Sequence, residues 1–100
     1  MFGDMMGKLQ EAQQKMEDVK TKLDGITVIG SAQGVKVTVN GNKVVTNVEI
    51  PQMIIDDGDK EDIEELFLLA VNRGLESADK VSQAEGASAM QGVLPNIPGM

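Results

Sequence analysis

The residues best suited to chemistry are basic side chains that recur at helical spacing in two parts of the chain. They are Lys8, Lys15, Lys20, Lys22, Arg73 and Lys80. All of these except Lys20 stand seven residues from another member of the set, a spacing that keeps side chains on one flank of a helix. Cations in such a row could contact successive phosphates of a nucleic acid. The alternative is a solvated flank on which the same cations pair with neighbouring glutamates.

Phosphate contacts of this kind would bind DNA without reading its base sequence. No aromatic residue is interleaved with the cations and no recognition-helix pattern appears, so contacts would go to the DNA backbone and not to base edges. We expect weak, salt-sensitive binding that tolerates any sequence. Replacing Lys15 and Lys22 together by Glu should then weaken binding to all sequences about equally.

Acidic residues form a second cluster, between the two basic groups. They are Asp56, Asp57, Asp59, Glu61, Asp62, Glu64 and Glu65. Clustered carboxylates can bind a divalent cation, but the ligand spacing of a calcium-binding loop is absent. We interpret the cluster as the capped, solvated start of a helix. Because the chain also has no Cys and no His, we predict no catalytic residue, no metal site and no cofactor.

The net charge of −7 is unevenly distributed. Residues 52–85 alone account for −7, whereas residues 1–51 are close to neutral. The overall charge argues mildly against a nucleic-acid partner, but the first half of the chain does not.

The cations of the first group must be positioned by a long opening helix, predicted from about residue 2 to residue 23. Its apolar seam consists of Met5, Leu9, Ala12, Met16, Val19 and Leu23. Their alternating spacing of three and four residues is typical of a helix that packs lengthwise on another helix. The partner could be the second helix of the same chain or a second copy of this one.

A three-stranded antiparallel meander is predicted over residues 25–50. A β-branched run begins at Ile26, and residues 35–39 alternate cleanly between apolar and polar. Asn40-Gly41 is the strongest short hairpin signal, and a two-residue turn there places Val37 opposite Val44 and Val35 opposite Thr46.

A second long helix is predicted after Pro51 and a packed connection over residues 52–58. Asp59 is its expected N-cap, and Gly74 in its interior suggests the close approach of another backbone. The chain thus reads as an α+β domain over residues 1–84, followed by a flexible Gly- and Pro-containing tail over residues 85–100.

Size and composition favour self-association in the cytoplasm. The chain has 100 residues and two aromatic side chains, so its core is small and a homodimer would add buried area. Neither a signal peptide nor an apolar run of about 20 residues is visible, so we predict a cytoplasmic protein with no membrane contact.

Several of these segments together resemble the YbaB/EbfC family of nucleoid-associated proteins. The matching segments are LQEAQQKM at 9–16, GVKVTVNG at 34–41, VEI at 48–50, DKEDIEEL at 59–66 and LPNIPGM at 94–100. The resemblance implies a homodimer with two long helices per subunit projecting from a β core. It also implies DNA binding in the bacterial nucleoid, effects on gene expression, and no enzymatic activity.

The sequence departs from the family where members often carry paired basic residues, because residues 72–74 read NRG and residues 77–80 read SADK. A different hypothesis therefore stays open. In it the chain is a protein-interaction adaptor with negligible DNA binding, whose acidic second helix or tail engages a partner protein. An enzyme would require a metal bound at the acidic cluster.

Overall fold

Two long helices flank a small antiparallel sheet in the computed structural model, which describes residues 2–91 of the chain. The elements are α1 (Phe2–Asp24), β1 (Thr27–Ala32), β2 (Val35–Asn40), β3 (Val45–Glu49), α2 (Gln52–Asp57) and α3 (Lys60–Gln91). This α+β order confirms the predicted helix, three-stranded meander and helix. The last part of the predicted tail, residues 92–100, lies outside the described residues.

The strand order is β1-β2-β3 and both pairings are antiparallel. Between β2 and β3, Val37 pairs with Val48 and Val39 with Val45, with an irregularity between Thr38 and Val39. The predicted pairing of Val37 with Val44 was therefore wrong, and so was that of Val35 with Thr46. The meander is correct, but its second hairpin has a longer loop.

The loop is longer because neither Gly41 nor Asn40 has the positive φ that a two-residue type I′ turn requires. The amide of Lys43 donates to Asn40 O (3.0 Å) and the amide of Asn40 donates to Val44 O (2.9 Å). Lys43 has φ 66°, so the loop is a type I turn followed by one left-handed residue. A Cβ at Gly41 would lie 2.7–2.9 Å from atoms of Leu23 at the end of α1.

The core lies between α3 and one face of β1 and β2. Its buried residues are Ala32, Val35, Val37, Val39, Ala70 and Ala78. Gly30 on β1 faces Gly74 on α3, and a Cβ at Gly30 would overlap the backbone of Ala70 and Gly74. The close backbone approach predicted for Gly74 is confirmed.

The second half of the chain is more helical than predicted. The connection over residues 52–58 contains the short helix α2, and the N-cap at Asp59 is confirmed because its carboxylate accepts the amide of Asp62 at 2.8 Å. α3 continues to Gln91, so the predicted start of a flexible tail at residue 85 was wrong. Alanines at 84, 87 and 89 favour the helix, which outweighs the cost of about 1 kcal/mol for Gly86.

Only the last part of the predicted seam is buried within the chain. Val19 and Leu23 are buried, and Ala12 is partly buried. Met5 is 71% exposed and Leu9 is 60% exposed. α1 therefore packs on α3 through its C-terminal half. No described helix is both long enough and apolar enough to cross a membrane.

Candidate nucleic-acid interface

The loop between β2 and β3 fixes the position of α1. The side-chain amide of Asn42 donates to Lys20 O (2.9 Å) and to the carboxylate of Asp24. The amide of Gly41 donates to Leu23 O at 2.9 Å. Leu23 O belongs to the last turn of the helix, where carbonyls have no partner within the helix itself, so the Gly41 amide acts as a cap. The direction of α1 is thus set by a sheet loop.

Gly41→Ala is expected to lower stability by about 1–3 kcal/mol, because the new methyl group must displace Leu23. Thermal unfolding followed by circular dichroism should show a lower Tm, by roughly 4–8 °C for each kcal/mol. Asn42→Ala, which removes only hydrogen bonds of the same loop, should cost about 1 kcal/mol. Unfolding of Gly41→Ala at the wild-type temperature would show that the helix end and the loop are not held together.

Two of the predicted cations line one groove between α1 and α3, which has a volume of about 210 Å³. Lys22 Nζ lies 2.8 Å from Glu85 Oε2 across this groove. Lys15 also lines it, with Nζ 4.0 Å from Glu11 on its own helix. Glu85 was not predicted as part of a site, because residue 85 was expected to lie in a tail.

The other two cations of α1 lie elsewhere. Lys20 lines a separate groove with Met16, Asn42 and Ser82, so it does not extend the row formed by Lys15 and Lys22. Lys8 is exposed on the N-terminal half of the helix. Within the described part of the chain, neither Lys8 nor Lys20 forms an ion pair.

The two predicted cations of α3 are separated from that groove. Arg73 donates from Nη1 to Ser31 O at 2.8 Å, so its guanidinium group ties α3 to the end of β1. Lys80 is exposed, with Nζ 3.7 Å from Glu76 on the same helix. The structure therefore does not bring all six predicted residues into one site.

The two-residue turn predicted at Asn40-Gly41 would place Lys43 on a strand, but the structure puts Lys43 in the loop between β2 and β3. Its left-handed conformation is uncommon for a residue with a side chain, and its Nζ lies 2.7 Å from Asp79 on α3. The Asn40-Gly41 pair suited a shorter turn so well that no sequence signal indicated this position.

The ion pairs described above are at least partly exposed, so each is worth about 0–1 kcal/mol. A phosphate could therefore replace the acidic partner of a lysine at small cost.

The acidic residues at the start of α3 are not grouped as the ligands of a metal ion would be. Among the described residues, no group of three or more acidic side chains is placed to hold a metal ion.

Comparison with known proteins identifies a matching protein family and several related proteins. Residues 1–93 match the model of the YbaB/EbfC DNA-binding family. A nucleoid-associated protein of Flavobacterium johnsoniae is 38% identical over 98 residues, which cover 96% of this chain and 91% of that protein. One from Chlorobium luteolum is 40% identical over 95 residues, covering 93% of this chain and 85% of the relative.

The fold also matches a solved structure. The crystal structure of an uncharacterized protein from Helicobacter pylori superposes with a TM-score of 0.79. The match covers 90% of this chain and 97% of that one at 17% sequence identity, which supports the shared fold alone.

Proposed function

This chain belongs to the YbaB/EbfC DNA-binding family, and we propose that it is a non-enzymatic, homodimeric nucleoid-associated protein that binds double-stranded DNA mainly through backbone phosphates. The match over residues 1–93 is the observation that carries the proposal. In this proposal the protein acts in the cytoplasm, on the nucleoid, and influences gene expression or nucleoid organisation.

The positions of the cations on α1 support contact with phosphates. Lys8 and Lys20 are exposed, and Lys15 and Lys22 line the open groove between α1 and α3. All four belong to the part of the chain that carries little net charge, and they extend along a helix of roughly 35 Å. A duplex presents one charge per ~1.7 Å of its axis, so a rod of this length can meet several phosphates.

Exposed apolar surface supports the homodimer. α3 lies over β1 and β2, which leaves Val45 and Val48 of β3 each 39% exposed although they pair with core residues of β2. Leu68 on α3 is 61% exposed. Apolar surface of this kind on a small domain is typical of an association site. A second copy could cover it, together with Met5 and Leu9 of the seam.

A gel-shift titration at about 50 mM salt, with duplexes of unrelated sequence, tests DNA binding. We expect all duplexes to be retained about equally and retention to fall steeply as salt is raised. Sedimentation of the same sample should give a dimer at micromolar concentration. Failure to retain any duplex at this salt would instead favour the adaptor hypothesis, in which the acidic start of α3 or the tail binds a partner protein.

Glu85→Gln is expected to raise DNA affinity about two- to fivefold at low salt. The change frees Lys22 from its ion pair and removes a negative charge from the groove. The matched control is Glu64→Gln, which frees Lys60 in the same way at the opposite end of α3 and should change affinity little. An equal gain in both variants would show a general charge effect and no role for Lys22.

A further inference from the structure

A second groove, with a volume of about 470 Å³, opens between α2 and the start of α3. Its apolar surface is formed by Met53, Ile54 and Leu66. Its acidic side chains are Asp57, Asp62 and Glu65. We call it the acidic groove. Its volume lies within the range of sites that hold a few side chains or a small ligand.

The charge of the acidic groove is not balanced by the chain around it. Residues 52–66 contain seven acids and one cation, Lys60. That cation lies 3.7 Å from Glu64, whereas the three acidic side chains of the groove form no ion pair within the described residues. A concave surface lined by one sign of charge concentrates ligands of the opposite sign.

The apolar side of the groove restricts what that ligand can be. Met53 is 72% exposed, and a methionine side chain is flexible enough to adapt its shape to an apolar partner. A bare metal ion would leave this surface uncovered. A ligand that matches the whole groove needs an apolar group with positive charges beside it.

We propose that the acidic groove binds a short basic segment of a partner protein, with one apolar side chain over Met53 and Leu66 and flanking Lys or Arg residues near the three acids. This interaction goes beyond DNA binding and does not depend on it. Asp62 and Glu85 are separated by 23 residues of one helix, or roughly 35 Å. DNA at the α1–α3 groove and a basic segment at the acidic groove would therefore bind at opposite ends of α3, where they do not compete.

The test is fluorescence anisotropy of the full chain with a labelled peptide that has a central leucine flanked on each side by paired lysines. Glu65→Gln and Met53→Ala should each weaken peptide binding about fivefold, since each removes one part of the recognition. The matched control is Glu61→Gln. It removes the same charge from the start of α3 but from outside the groove, and it should change affinity less than about twofold.

Two further peptides separate the proposal from simple charge attraction. Replacing the central leucine by serine should weaken binding about as much as Met53→Ala does. Equal binding of the leucine and serine peptides, or equal loss in Glu61→Gln and Glu65→Gln, would overturn the proposal. Dissociation of the dimer by Met53→Ala would also overturn it, because a second copy would then occupy the groove. Gel shifts of the same variants keep this outcome distinct from a failure of DNA binding.

Discussion

Gly30→Ala is expected to cost about 3 kcal/mol or more of the free energy of unfolding, a large effect for a single added methyl group. The added Cβ would overlap the carbonyl oxygen of Ala70 and the amide nitrogen of Gly74. Both are backbone atoms of α3, so no side chain can rotate away. Relief requires the helix to move off the sheet, which opens the contacts that bury Val37 and Val39. Overpacking usually costs about 1–3 kcal/mol, and this site lies at the upper end.

Thermal unfolding followed by circular dichroism measures this loss, which corresponds to a fall in Tm of at least roughly 12 °C. The matched controls are Gly7→Ala and Gly86→Ala. Both positions are helical, and apart from the adjoining turns of the same helix a Cβ there meets no described atom within 4 Å. Each control should raise stability by about 0.5–1 kcal/mol because alanine favours a helix. A Tm for Gly30→Ala equal to that of the wild type would contradict the close packing of β1 on α3.

Replacing Lys8 and Lys15 together by Gln is expected to weaken binding to every duplex, by about tenfold for each phosphate that is no longer neutralised. The slope of log affinity against log salt should become shallower by roughly 0.9 for each such phosphate in each subunit. Both residues lie on α1, and in the described part of the chain neither side chain makes a hydrogen bond or short ion pair that holds the fold together. Gel-shift titrations between about 50 and 200 mM salt measure both quantities.

The control for this double variant removes two cations away from α1. Lys36→Gln with Lys60→Gln changes the net charge equally, but on β2 and at the start of α3. Its salt slope should match that of the wild type. If both double variants lose affinity and slope equally, the protein attracts DNA through its total charge and α1 is not the contact surface. If neither changes, the phosphate contacts lie on other residues.

Local patterns in the sequence predicted most of the fold. The alternation over residues 35–39 indicated a strand with one buried face, and its valines are buried. Asp59 was identified as an N-cap because the required residue type stood before an apolar helical pattern. The pairing of β3 was wrong because it depends on Gly41, whose use is decided by contact with Leu23, far away in sequence. Local turn preference does not contain that information.

The candidate site was less predictable than the fold. Seven-residue spacing correctly placed Lys15 and Lys22 beside each other. It could not show that Glu85 faces them, because this requires α3 to continue past Gly86 and to run beside α1. Lys20 is close to Lys22 in sequence, but residues two apart on a helix do not share a face. Lys20 therefore lines a different groove from Lys22.

Because α1 is attached to the rest of the chain through its C-terminal half, a small rotation there moves its N-terminal end by a larger distance. In the described part of the chain, the bonds from Gly41 and Asn42 and the Lys22–Glu85 pair all act on the C-terminal half of this helix. A tilt of about 5° at that pivot would swing the far end of a rod of roughly 35 Å by about 3 Å. If the proposed dimer forms, the distance between the N-terminal ends of its two α1 helices would change with this tilt, without any change in the sheets.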